Sequence, residues 1–295
     1  MVLFGCSVLL AAWRIADRWP ELRSDFLGAG WSASPAMLAA SALLLCAGLL
    51  LTCSGWILAA RDLGARTGTR RLAAAWFASQ VGRYVPGKIW LFAGRIGFLR
   101  SEGMTVPRAA AASAWEVMTS FASVGLVALP MVLLGGAIPG RGVAAAVTVA
   151  SAALLLLPLT VPAQRLAFRL KGIGEYAGVR ASTAARILVL YAVSWILRGA
   201  ATLLWLEGLG LDTRGFAAAA AAAPLSWLAG YIVIFVPGGI GIREAATAAI
   251  CVESALVAPA TVAVLGQTVL MALFELALAL AGAGGLAPRR GGSAE

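Results

Sequence analysis

The chain has 295 residues, of which 61% are hydrophobic and 12% charged, with a mean hydropathy of +0.90. That balance lies outside the range of soluble globular domains and marks an integral membrane protein with no sizeable soluble domain. A net charge of +10, carried by 21 Arg and only two Lys, is scattered between apolar runs instead of gathered in one patch, which argues against nucleic-acid binding; the absence of His excludes His-based acid–base catalysis and His metal ligands.

A bilayer core of about 30 Å needs roughly 20 apolar helical residues. In chain order the candidate spans are 1–13 (short), 36–60, 109–134, 143–162, 187–206 and 261–286. Residues 1–13 lack the basic start and small-residue cleavage site of a signal peptide, so they read as a short or truncated first span. Cys6, Cys46, Cys53 and Cys251 lie in apolar segments without zinc spacing and read as small packing residues, although Cys46 and Cys53 share a helix face and form a possible thiol pair. No cofactor or metal is expected, and no nucleotide-binding motif is present.

Two interrupted segments, 72–100 and 216–258, lie between the spans and carry nearly the same sentence: Tyr84-Val85-Pro86-Gly87-Lys88-Ile89 and Phe235-Val236-Pro237-Gly238-Gly239-Ile240. Pro removes a backbone donor and Gly permits positive φ, so each should break a helix. Broken helices in a bilayer are tolerated only against protein or around a polar cavity. Paired interruptions in two halves of a membrane chain point to a substrate site between structural repeats.

Basic loops set the orientation. Residues 61–71 hold four Arg, 164–186 hold four Arg and one Lys, and Arg289-Arg290 lie near the C-terminus; these three should be cytoplasmic. Residues 135–142 and 207–215 hold one Arg each and should face outward, while the mixed-charge loop 14–35 is tolerable outside. The first interrupted segment then begins and ends in the cytoplasm, with arms too short to cross: a re-entrant hairpin with Pro86-Gly87 at its tip. The second should begin and end outside, around Pro237, Gly238 and Gly239, unless its first arm, 216–235, spans fully. The expected fold is an all-α polytopic helix bundle, a single transmembrane domain over 1–295, with an inverted repeat whose halves are 36–134 and 187–286.

At these residues the chain resembles the transmembrane, flippase-like domain of the lysylphosphatidylglycerol synthase / multiple peptide resistance factor family. The resemblance covers nearly the whole chain. It rests on Gln80-Val81-Gly82-Arg83-Tyr84-Val85-Pro86-Gly87-Lys88-Ile89-Trp90 with Gly94-Arg95, on Pro237-Gly238-Gly239-Ile240-Gly241-Ile242-Arg243-Glu244, and on Glu116. The family pattern places a basic residue after that Glu, whereas Val117 stands here. The resemblance implies a lipid-handling domain of the cytoplasmic membrane of a prokaryote that moves or binds phospholipid, glycolipid or polyprenyl-linked lipid, alongside envelope-biosynthesis enzymes; it does not imply aminoacyl transfer.

An ionisable group at membrane depth invites a functional reading. Arg83, Lys88 and Arg95 flank the first tip, and Arg243 follows the second; together they form a candidate site for an anionic head group, with Lys88 as a point charge and arginines as forks. The competing reading is snorkelling to the interface, most of all for Arg95. Glu244 is a candidate counter-charge for a basic residue of the first hairpin, and Glu116 a candidate ion-pair partner or proton-coupling carboxylate. Glu275 and Arg198 sit mid-span and need partners, Arg198 from Glu275 or Glu116, with Gln267 nearby; Glu253 reads as interfacial. The ten Trp, including Trp31, Trp56, Trp90 and Trp205, read as an interfacial belt. The leading function is lipid translocation; a membrane-embedded transferase and a scaffold of envelope synthesis are the alternatives.

Overall fold

The computed structural model describes residues 33–84, 89–135, 145–146, 149–150, 179–233 and 236–283. Every element among them is helical, and eight helices build the bundle: α1 (Pro35–Asp62), α2 (Thr69–Gln80), α3 (Ile89–Ser101), α4 (Val106–Gly135), α5 (Ala181–Gly208), α6 (Phe216–Ile232), α7 (Ile242–Cys251) and α8 (Val257–Ala283). The expected spans at 1–13 and 143–162 lie wholly or mostly outside the described residues, as do Pro86, Gly87 and Lys88.

Four helices, α1, α4, α5 and a segment comprising α8 with the turn before it, are long and apolar enough to cross a membrane. Only 28% of the most apolar window is buried in α1 and α8, and 39% in α5. Side chains such as Leu43, Val189, Leu273 and Leu280 point outward, each more than half exposed. So much contiguous apolar surface is untenable in water and fits a lipid surround. Residues 181–186, read from the sequence as part of a polar loop, instead open α5, because Asp62 at the end of α1 accepts both the backbone N–H and the Nε–H of Arg180 at 2.6 Å and fixes where that helix begins.

Helices α1 and α5 run antiparallel along a long shared seam. The Ser34 N–H donates to Gly208 O (2.7 Å), Ser41 Oγ to Ala201 O (2.7 Å) and Ser194 Oγ to Gly48 O (2.9 Å), so positions rise along one helix as they fall along the other. Small residues permit the approach. Gly55 leaves room for the Tyr191 ring, and a Cβ on Gly199 would stand 2.5 Å from Ala220 Cα in α6.

The order helix, hairpin, helix occurs twice: α1, α2–α3, α4 and then α5, α6–α7, α8. Their packing repeats with it. The first hairpin arm α2 packs on α8 of the other half, and α6 packs on α4; α3 lies on α4 as α7 lies on α8. The α1–α5 seam maps onto itself when the halves are exchanged, and its antiparallel sense is what an inverted repeat requires. Helices α2 and α3, with 12 and 13 residues, are only about 18–20 Å long, short of the bilayer core. Helix α6, with 17 residues or about 26 Å, also stops short, which favours the hairpin over the fully spanning alternative for the second interrupted segment.

Each hairpin base is tied by an Arg–Glu pair: Arg71–Glu102 at 2.6 Å in the first and Arg214–Glu253 at 3.3 Å in the second. The second pair is open to solvent at Glu253 and contributes little, whereas the first is mostly buried and Glu102 also accepts from Thr67 Oγ1 at 3.0 Å. Glu102→Gln is expected to lower stability by about 1–2 kcal/mol in denaturation measurements. Gly82 shows how tight that packing is: a Cβ there would meet Leu91 N at 2.5 Å.

Candidate functional site

The two interrupted segments meet: the 3-10 turn Val81–Tyr84 after α2 contacts the turn Pro237–Gly239 before α7. The second turn depends on glycine. Gly238 and Gly239 have φ of 64° and 70°, in the left-handed region that side chains rarely enter, and Gly239 lies directly against the Gly230 backbone of α6. Gly230 in turn has no side chain because the Arg243 stem crosses it.

Beside these turns is a partly open cavity. Its walls come from both halves of the chain. Four guanidinium groups, of Arg83, Arg95, Arg198 and Arg243, line it against two carboxylates, of Glu116 and Glu275. Apolar and aromatic walls are supplied by Leu49, Phe92, Trp195 and Trp227. Trp227 belongs to an aromatic cluster with Trp195, Tyr231 and Phe121, ring centroids 5.0–5.5 Å apart.

Arg95 is the most deeply buried of the four arginines, 1% exposed. It forms an ion pair with Glu116, donates from Nε to Ser79 Oγ at 2.8 Å, and lies 5.6 Å from the ring centroid of Trp56 and 5.2 Å from that of Trp76. Trp76 Nε1 completes the arrangement by donating to Glu116 Oε1 at 3.0 Å. Snorkelling to an interface is therefore not what Arg95 does. The geometry makes it an internal strut of the first hairpin, joining α3, α2 and α4, with one edge on the cavity.

Arg83 reaches across the halves: its NH2 group donates to Glu275 Oε2 at 2.6 Å. The other oxygen, Glu275 Oε1, is buried with no hydrogen-bond partner among the described residues. Arg198 finds neither expected carboxylate. Glu116 is taken by Arg95 and Glu275 by Arg83, so Arg198 instead donates from NH2 to Thr52 Oγ1 at 3.1 Å and stacks 5.2 Å from the Trp195 ring. Its Nε–H, like the Tyr191 hydroxyl, is buried without a partner among the described residues.

Arg83, Arg95, Arg243, Glu116 and Gly238, all singled out in the sequence, thus line one cavity, with Pro237 and Gly239 in the turn above it. Lys88 lies outside the described residues. Among the described residues Glu244 is not bonded to a basic residue of the first hairpin. Its Oε2 accepts the Gly241 N–H at 2.5 Å, capping α7, and its Oε1 accepts from Thr268 at 2.7 Å. A carboxylate three residues into a helix satisfies backbone donors that would otherwise be orphaned, and that local demand decides its place.

Sequence reasoning left Arg198, Glu275 and Tyr191 out of the candidate site. The signal for Arg198 was present, since it is the one charge in the middle of the 187–206 span. The interfacial-belt reading of the tryptophans is corrected in part: Trp56, Trp76 and Trp195 are buried, and Trp56 and Trp76 serve as faces for Arg95, whereas Trp90 is 60% exposed. Cys46, Cys53 and Cys251 are free thiols. No family model and no curated protein matches the chain.

Proposed function

We propose that the protein is a lipid translocase of the cytoplasmic membrane of a prokaryote, holding an anionic head group in the cavity between the two hairpins while the acyl tails stay in the bilayer. One observation carries this reading: among the described residues four arginines and two glutamates converge on one cavity between apolar spanning helices. Guanidinium groups gathered at membrane depth favour an anion, which accepts charge-assisted hydrogen bonds from them. The apolar and aromatic walls accommodate the glycerol or isoprenoid end of a lipid. Exchange of the two halves between outward- and inward-facing arrangements would expose the site alternately to either leaflet. The resemblance of its Pro-Gly segments to the flippase-like domain of lysylphosphatidylglycerol synthases supports this reading and suggests envelope-biosynthesis enzymes as partners. A membrane-embedded transferase finds less support, because each cavity carboxylate is already committed to an arginine.

Purified protein in liposomes tests the reading. Labelled anionic phospholipid should equilibrate between leaflets, and Arg243→Ala or Arg198→Ala should slow it about tenfold or more, as loss of a charge-assisted contact worth about 1.5–3 kcal/mol predicts. Chemical turnover of the lipid without movement would point to an enzyme. Neither movement nor turnover would leave a scaffold.

A further inference from the structure

The end of the bundle where α1 stops carries charge that takes no part in the cavity. Arg61 in the last turn of α1, Arg66 in the link after it and Arg70 at the start of α2 are exposed. So are Arg100 and Arg108, on either side of the α3–α4 link, and Arg180 and Arg186 at the start of α5. Bonds between the elements bring these helix ends together. Arg61 donates to Thr69 at the head of α2, Thr67 to Glu102 after α3, and Arg180 to Asp62. A Cβ on Gly64, in the turn after α1, would stand 3.5 Å from an NH1 atom of Arg108. Counting Arg71, eight arginines gather here among the described residues against two carboxylates, Asp62 and Glu102, which Arg180 and Arg71 already engage. At the opposite end, where the Ser34 N–H meets Gly208 O, the described charges are Glu207, Asp212 and Glu253 against Arg214 alone.

Depth decides what such a surface meets. Helices α1 and α5 have 28 residues each, about 42 Å of helix, which exceeds the roughly 30 Å hydrocarbon core and matches the 40–45 Å that includes both head-group layers. Arginines at their ends therefore lie among lipid head groups. The links 63–68 and 102–105 are short, so neither lifts its arginines out towards a soluble partner. We propose that this end of the bundle is a binding surface for anionic phospholipids of the adjoining leaflet, gathered as a shell around the helix ends. Guanidinium forks match the phosphate oxygens, and each basic group at this depth adds attraction towards lipid of net negative charge. A zwitterionic lipid offers the same phosphate, but its own cation cancels that attraction. The acidic opposite end gathers no such shell, so the enrichment is confined to one leaflet. The inference does not rest on the lipid-carrier reading, because none of these arginines lines the cavity.

Spin-labelled lipids test this with the full chain in dioleoyl phosphatidylcholine vesicles, where the fraction of label slowed by the protein reports the composition of its lipid shell. Labelled phosphatidylglycerol is expected to associate about three- to tenfold more strongly than labelled phosphatidylcholine in about 20 mM salt. In about 1 M salt, where the screening length falls to about 3 Å, the two should associate nearly equally. The combined variant Arg66→Gln, Arg70→Gln, Arg100→Gln and Arg108→Gln changes only exposed side chains outside the cavity. It should cut the preference to about twofold or less, whereas Arg214→Gln at the opposite end should leave it unchanged. The pairs Arg66→Gln with Arg70→Gln, and Arg100→Gln with Arg108→Gln, should each give part of that loss and serve if four changes disturb folding. Equal association in low salt, or a preference that all these variants keep, overturns the inference. A preference that Arg243→Ala abolishes and the combined variant keeps overturns it in favour of lipid held in the cavity. Retention on immobilised polyglutamate without any lipid preference overturns it in favour of an acidic protein partner.

Discussion

Replacing Glu116 with alanine is expected to destabilise the protein by about 3–5 kcal/mol, the usual cost of stripping one partner from a buried ion pair. Arg95 would keep its charge at 1% exposure with only the Ser79 hydroxyl and two indole faces around it. Trp76 Nε1–H would lose its acceptor at the same time. Glu116→Gln retains an oxygen for Trp76 but not the negative charge, and should fall between wild type and alanine. The combined variant Arg95→Met with Glu116→Leu removes both charges and should be markedly more stable than Glu116→Ala, because isosteric apolar replacement of a buried pair is often neutral. Thermal denaturation in one detergent ranks the four proteins. A Glu116→Ala protein as stable as wild type would mean that the strut does not hold the first hairpin.

The second large effect lies at the other tip. Gly239→Ala should destabilise by about 3 kcal/mol, from two sources of comparable size: a left-handed backbone costs a side-chain residue about 1–2 kcal/mol, and overpacking adds about 1–3 kcal/mol. The new Cβ would sit 2.8 Å from Gly230 Cα and 2.9 Å from Gly230 O, both backbone atoms of α6 that cannot swing aside. Gly103→Ala isolates the first source, for its φ is +90° and nothing lies within 4 Å of the added methyl group. A loss of about 1 kcal/mol is expected there. If the two variants melt together, the contact between the second tip and α6 is not tight. If they separate as expected, Gly239→Ala should also disturb Trp227 and Tyr231 fluorescence, since those rings flank Gly230 on α6.

Much of the architecture was legible before any coordinates. The long apolar spans fall where runs of about 20 hydrophobic residues place them, and Pro237-Gly238-Gly239 breaks the chain where fixed φ and permissive φ adjoin. Side-chain partnerships were not legible. Composition shows that Arg198 needs company, but only the packing of α1 on α5 makes Thr52 its neighbour and leaves both carboxylates to other arginines. Glu244 was read as a charge when its place follows from two backbone and hydroxyl donors, Gly241 N–H and Thr268 Oγ1. The tryptophans misled for a related reason. A position near a span end looks interfacial in one dimension, yet Trp56 at the end of α1 and Trp76 within a short hairpin arm fold inward onto Arg95.

The α1–α5 seam also determines where the bundle can yield. Ser41, Thr52 and Ser194 hold buried or half-buried hydroxyl bonds across it, and the Tyr191 ring is keyed into the notch at Gly55. Sliding one helix past the other would strand those hydroxyls away from water and drive the ring into backbone. Hinging at the short links on either side of the hairpins demands neither. The seam is thus the stiff spine of the bundle, and the Arg83–Glu275 contact is a second tie between the halves that lies outside it.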